Sequence, residues 1–244
     1  TKIPQTEEDI KHLTFYDDNH LFYITSAGIS LLNISTSESR LLYSNTTEDF
    51  FQVPSLYYDD QLKRLWIGTG SAGLFYYDII RKSLSDIPIR NFPKQPILAI
   101  RKDAKNTLLI GIDGQGIWNI SEKGDTILHI YKEDLNNPFS LRGDGVYDIL
   151  CDGSKNWIAT FTGKLSFFEN NNSQITPVTY QINNPNSLGN NYVNQIIEDH
   201  EGHIWFATNN GVSRWDAASN KWKHYYQNKS EQAKVFLSLC EDNQ

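Results

Sequence analysis

The sequence predicts an all-β chain, a β-propeller of four-stranded antiparallel blades, with about five blades followed by the first strand of a sixth. Three observations predict it. A strand–turn–strand pattern recurs five times, and its equivalent residues Phe22, Trp66, Leu109, Trp157 and Trp205 are separated by 44, 43, 48 and 48 residues. That period, built from short strands, is the spacing of propeller blades. Apolar residues alternate with period two, as Leu65 and Ile67 do, and not at the i, i+3, i+4 spacing of a helix. A connector also recurs: Tyr131–Leu141 and Tyr180–Leu188 both carry Asn-Asn-Pro, offset by 47 residues, and both end in Ser-Leu.

The elements follow in order. Blades are expected at about 13–52, 53–96, 97–145, 146–192 and 193–234, and residues 235–244 begin the next, so that 1–244 form one partial propeller. Each blade opens with a strand ending in an acidic turn, as at Asp152-Gly153 and Asp199 to Gly202. The second strand carries a large apolar residue, then a small one, then often Thr: Trp66 to Thr69, Trp157 to Thr160 and Trp205 to Thr208. Four strands cannot cover both faces of their own sheet, so the large residue is expected to fill the space between blades. Gly68, Ala159 and Ala207 let backbones approach closely. Gly28, Gly73, Gly116, Gly163 and Gly211 close the next turn, where a positive φ is expected. Pro and Asn in the connectors end each outer strand. In the sixth unit Cys240 aligns with Ile197, and Asp242 with Asp199.

Composition narrows function. The net charge is −7 with no Lys/Arg block, which argues against nucleic acid as a partner. No apolar run approaches the length that spans a bilayer. Cys151 and Cys240 fall in non-adjacent units without metal-type spacing, so free thiols are expected. The chain starts at Thr1 and contains no Met, which is expected of a piece of a longer or processed protein.

The Trp-[Ile/Phe]-[Gly/Ala]-Thr core, the acidic end of the first strand and the Asn-Asn-Pro-x-Ser-Leu connector together resemble the two-component regulator propeller repeat of hybrid two-component sensors from gut Bacteroidetes. The resemblance covers residues 13–242. Ile24 in place of the small residue and Ile112 in place of Thr depart from it. It implies a seven-bladed ring, of which this chain holds part, in a periplasmic sensor region. An immunoglobulin-like domain, a membrane helix, a histidine kinase and a DNA-binding receiver would follow elsewhere in the protein. It also implies an oligosaccharide ligand that alters a receptor dimer and switches glycan-utilisation genes.

Several motifs invite other chemistry. His200-Glu201-Gly202-His203 lacks the i, i+4 helical spacing of a zinc protease and reads as a turn. Gly111 to Gly116 resembles a phosphate loop, but a strand follows it instead of a helix. The turns beginning at Asp103 and Asp152 lack the oxygen density of a calcium loop. Asp59-Asp60 reads as solvated turn charge. No catalytic residue, metal or cofactor is expected. Ligand-binding candidates are the aromatics outside the repeat core: Tyr57, Tyr58, Tyr76, Trp118, Trp222, Tyr225 and Tyr226. Aromatic rings stack on the C–H face of a sugar while polar groups orient it; the competing role is filling space between blades. The expected function is a non-catalytic sensor module. The alternatives are a polysaccharide lyase or glycosidase, which needs converging carboxylates, and a protein-interaction scaffold.

Overall fold

The computed structural model describes residues 9–44, 52–225 and 234–242, so the candidate Tyr226 and the last two residues of the sixth unit lie outside it. Among these residues there are five four-stranded sheets, each in sequential strand order, and no helix. The first sheet holds β1 (His12–Asp17), β2 (His20–Thr25), β3 (Gly28–Asn33) and β4 (Ser39–Ser44). The second holds β5 (Ser55–Asp59), β6 (Arg64–Gly68), β7 (Leu74–Asp78) and β8 (Ser83–Asp86). The third holds β9 (Ile97–Lys102), β10 (Leu108–Ile112), β11 (Gly116–Ile120) and β12 (Ile127–Tyr131). The fourth holds β13 (Val146–Cys151), β14 (Lys155–Thr160), β15 (Lys164–Glu169) and β16 (Thr176–Val178). The fifth holds β17 (Val193–Glu198), β18 (Ile204–Thr208), β19 (Gly211–Asp216) and β20 (Lys221–Tyr225).

Two compact units divide the chain. One comprises residues up to Ile100 with Lys123–Thr126; the other comprises Arg101–Glu122 and the chain from Ile127 onward. In the first, Phe22, Ile24 and Ile29 pack with Leu56, Leu65, Ile67 and Tyr77 in the seam between sheets one and two. In the second, Trp157 and Leu165 pack with Val193, Ile196, Phe206 and Trp215 in the seam between sheets four and five. Phe22, Trp66, Leu109 and Trp157 are buried, whereas Trp205 is half-buried.

Every position of the repeat has a physical task. The acidic residue ending the first strand makes an Asx turn in all five sheets. Oδ1 of Asp17, Asp59, Asp103, Asp152 and Asp199 accepts the amide two residues on, at 2.8, 3.0, 3.0, 2.8 and 3.0 Å. Asp59 is buried, so the expectation of solvated charge there holds only for its neighbour Asp60. Twice the same carboxylate also holds the Trp of the second strand: Trp157 Nε1 donates to Asp152 Oδ2 at 2.9 Å, and Trp205 Nε1 to Asp199 Oδ2 at 2.7 Å. The small residue is forced by crowding, since a Cβ on Gly68 would lie 2.2 Å from Ser55 Oγ and 2.7 Å from Ile97 Cγ2. The Thr hydroxyl closes the following turn. Thr69, Thr160 and Thr208 donate to the carbonyls of Gly73, Lys164 and Gly211 at 2.8, 3.1 and 2.7 Å. Gly28, Gly73, Gly116, Gly163 and Gly211 all have positive φ, as these turns require.

The connectors close by one scheme. Ser140 Oγ accepts the Asp134 amide and Ser187 Oγ the Gln181 amide, both at 3.0 Å, while Leu141 and Leu188 are buried beside them. Asp144 Oδ1 accepts the Glu133 amide, as Asn191 Oδ1 accepts that of Tyr180, both at 2.7 Å.

First strands are stitched sideways at the position facing the small residue. Ser55 Oγ donates to Ile97 O at 2.6 Å, Asp148 Oδ2 accepts Ile196 N at 2.9 Å, and Gln195 Oε1 accepts Leu239 N at 2.6 Å. Leu239 thus stands to Gln195 as Ile196 stands to Asp148. Phe236 N bonds Thr208 O at 3.0 Å, as Ile97 N bonds Thr69 O at 3.1 Å. Residues 236–241 therefore lie along sheet five in the place of a following first strand.

Candidate functional site

The described candidates, Tyr57, Tyr58, Tyr76, Trp118, Trp222 and Tyr225, are half-buried. In the first unit, Tyr58 lies 5.0 Å from Tyr16 and 5.3 Å from Phe22 between ring centroids, and burial pushes its phenol pKa up. Tyr57 faces Trp66 across the strand pair. Tyr76 lies 5.3 Å from Trp66 with the Arg64 guanidinium 4.3 Å over its ring. In the second unit, Trp118 faces Ile110 and Ile130 in sheet three, Trp222 packs 5.4 Å from Phe206, and Tyr225 stacks 5.3 Å from Trp205. Trp118 and the Trp222–Tyr225 pair stand on different sheets, so these rings form no single platform.

An open cavity of about 530 Å³ lies between sheet five and residues 236–241, lined by Trp205, Val212, Tyr225, Phe236, Leu239 and Glu241, among others. Its walls repeat those of the seam between sheets four and five, where Trp157, Leu165, Val178, Val193 and Ile196 hold the matching places. It has the chemistry of a seam between sheets.

Asp199, Glu201 and His203 bring donor atoms within 4.8 Å of one another at the edge of that cavity. Asp199 is already engaged, accepting the Glu201 and His203 amides, His203 Nδ1 and Trp205 Nε1. Asp152 makes the equivalent turn with Ser154, Lys155 and Trp157 and no histidine. The His-Glu-Gly-His motif therefore serves a strand-to-strand turn. Cys151 and Cys240 are both free thiols; burial pushes the Cys151 thiol up to about 12.

A different cluster has the features of a binding surface. β13 carries a bulge between Val146 and Asp148, which turns Tyr147 out of the sheet. Its ring meets Phe161, in the turn after β14, at 4.0 Å between centroids. Tyr147 and Phe161 nevertheless remain 41% and 44% exposed. On the same turn, Tyr192 covers Gly163, where an added Cβ would fall 2.7 Å from the ring, and Tyr192 is 52% exposed. Beside it opens a groove of about 470 Å³, lined by Arg142, Thr162, Lys164, Thr179, Asn191 and Tyr192 together with Gly163, Leu165 and Pro177. Thr162 Oγ1 donates to Arg142 O at 2.9 Å and ties one connector to the turn.

The sequence reading missed these three rings, although a signal existed. The position after the Thr of the repeat is Ser26, Gly70, Asp113 and Asn209 in the other sheets, and Phe161 alone is aromatic there. In sheet five the counterpart of the Tyr147–Phe161 pair is Asn194 and Asn209, hydrogen-bonded at 2.9 Å.

Comparison with known proteins agrees with the architecture. Residues 187–210, spanning the end of a connector, β17 and β18, match the family described as two component regulator propeller. No curated protein matches the chain. Among solved structures, the chain resembles the extracellular domain of BT3049 from B. thetaiotaomicron, described as a hybrid two component system. The TM-score is 0.67 at 16% identity over 89% of this chain and 30% of that one. It also resembles the extracellular domain of BT4673 from B. thetaiotaomicron, described both as a one component and as a hybrid two component system. There the TM-scores are 0.52 and 0.51 at 18% identity over 88% of this chain and 35% of that one. The chain spans about a third of the length of these structures. Among the described residues no helix is long and apolar enough to cross a membrane. Five four-stranded blades make the chain a β-propeller segment of the fold found in the extracellular domains of such systems, and residues 187–210, at the start of the fifth, carry the match to the two component regulator propeller.

Proposed function

We propose that this chain is part of the periplasmic sensor region of a hybrid two-component system, where it binds an oligosaccharide without transforming it. The observation that carries the reading is the exposed aromatic surface of Tyr147, Phe161 and Tyr192 around one blade turn, beside a groove rimmed by hydroxyl, amide and cationic groups. Phe161 stands at a turn position that other blades fill with small or polar residues, and all three rings keep 41–52% of their surface in solvent. Stacking on sugar rings uses them. The two component regulator propeller match supports the sensor context. In that context the remaining blades, a membrane anchor, the kinase and control of glycan-utilisation genes belong to the rest of the protein. A ligand bridging turns of neighbouring blades would signal by binding one arrangement of a receptor dimer better than another.

The test is calorimetric titration of the chain with an oligosaccharide panel, followed by chromatography of each mixture. Saturable binding with unchanged oligosaccharide is expected. New product formed by the pure chain would reject a purely sensing role, and absence of binding across the panel would reject the ligand class.

A further inference from the structure

We infer that the groove beside Tyr192 selects oligosaccharides bearing acidic substituents, carboxylate or sulfate; the inference rests on the oligosaccharide reading above and specifies its ligand.

The groove is lined by two cationic side chains, Arg142 and Lys164, and by no carboxylate, in a chain whose net charge is −7. That local inversion of sign sets it apart from the bulk of the molecule. Arg142 stands on the connector before β13 and Lys164 opens β15, so two separate elements deliver the charges to one place. Neither cation is strongly neutralised. Lys164 Nζ lies 3.9 Å from Glu133 Oε1 with both side chains well exposed, a loose pair that water and salt weaken. Arg142 gives one donor to a backbone carbonyl, Pro138 O, which carries no formal charge. Its planar guanidinium keeps further donors in a fork that matches a carboxylate or sulfate.

The remaining walls fit a sugar ring. Tyr192 supplies an apolar face of pyranose size beside the two cations. Asn191 accepts the Tyr180 amide through Oδ1, and its amide nitrogen is a donor for a ring hydroxyl. Thr179 adds a hydroxyl that serves as donor or acceptor, and the Thr162 hydroxyl, which donates to Arg142 O, remains an acceptor. A neutral glucan or mannan would use the ring and the hydroxyls but leave two cations unused. An acidic oligosaccharide uses all of them.

The experiment titrates the 244-residue chain with three probes: an oligogalacturonide, its carboxyl-reduced neutral counterpart, and a sulfated galactan oligosaccharide without carboxylates. At least one acidic probe is expected to bind tenfold or more tighter than the neutral one, with affinity falling as salt rises. Which acidic probe binds identifies the substituent. The double variant Arg142→Gln/Lys164→Gln is expected to lose that tenfold preference and its salt dependence, and far-UV circular dichroism confirms that it folds. Neutral and acidic probes binding equally would overturn this inference and leave oligosaccharide binding intact. Acidic preference retained by the double variant would overturn its placement in this groove. No binding of any probe would overturn both readings.

Discussion

Trp157 and Trp205 occupy one position of the repeat and differ in what covers them. Both indoles donate to the Asp of the preceding turn, and both stand next to a buried Ala and Thr. Yet Trp157 is 1% exposed while Trp205 is half-buried. Trp157 meets Phe206 at 5.4 Å and Trp215 at 5.1 Å, both from the next sheet. Lys155 Nζ caps the cluster, 4.3 Å from the Trp215 ring. Trp205 instead stacks on Tyr225 of its own sheet, with the Arg214 guanidinium 5.7 Å away and the single segment 236–241 alongside. The repeat therefore specifies where the large side chain points, and the neighbouring sheet determines how much it stabilises. That is the energetics of a stacked array, in which interfaces carry much of the stability.

The largest expected effect tests this directly. Trp157→Ala should destabilise the second unit by about 3–5 kcal/mol, the range for removing a buried aromatic. Trp205→Ala should cost only about 1–2 kcal/mol, because its side chain is only partly covered. Urea unfolding followed by far-UV circular dichroism measures both. Equal losses would break the comparison and place the value of the Trp within its own sheet.

The turn carboxylates sharpen it. Asp152 accepts the Ser154 and Lys155 amides, the Ser154 hydroxyl and the Trp157 indole. Asp152→Ala should cost about 1–3 kcal/mol, because the indole of the buried Trp157 and the turn amides lose their acceptor. Burial alone would raise the pKa of Asp152, but these hydrogen bonds outweigh it and hold the carboxyl below its usual range. Its stabilisation is present above the unfolded-state pKa and is lost as pH falls through the folded one. Asp148 has the opposite sign. Burial raises its pKa, only partly opposed by Arg101 at 3.2 Å and by the Ile196 and Ile149 amides. Its contribution is full below the unfolded-state pKa and is lost as pH rises through the raised folded one. Unfolding curves across pH 2–8 should show wild type losing stability relative to Asp148→Asn as pH rises above about 4, while Asp152→Asn removes stability that wild type loses only as pH falls below about 4, the unfolded carboxylate value. Parallel pH profiles for the two variants would contradict the assignment.

The sequence revealed the sheets because their repeats are local. Asx turns, the Thr closure and the positive-φ glycines each act within a few residues, so they leave a readable mark at Asp152, Thr160 and Gly163. Burial was less legible. Trp157 and Trp205 look alike in sequence, and only the neighbouring sheet separates the first from the second. The burial of the binding candidates was equally illegible. Tyr58, Tyr76, Trp222 and Tyr225 stand out as aromatics beyond the core, and each is half-buried and in contact with another ring. Tyr147 is illegible because a bulge sets its exposure and no motif in the sequence marks it, whereas Phe161 leaves a signal as the one aromatic residue at its repeat position.

The smallest expected change in stability is the most informative about function. Sheet five already solves the geometry of the Tyr147–Phe161 pair with Asn194 and Asn209, whose side chains hydrogen-bond at 2.9 Å beside the same kind of bulge. Grafting that solution as Tyr147→Asn/Phe161→Asn should therefore change stability by about 0.5 kcal/mol, the scale of surface substitutions. It removes two exposed rings from the turn face. If those rings stack on a ligand, oligosaccharide affinity should fall about tenfold or more while the unfolding midpoint stays in place, since stacking on one ring contributes about 0.5–1.5 kcal/mol beyond area burial. A loss above about 2 kcal/mol in stability with unchanged affinity would instead make the pair part of the scaffold. The ligand surface would then have to lie on another blade.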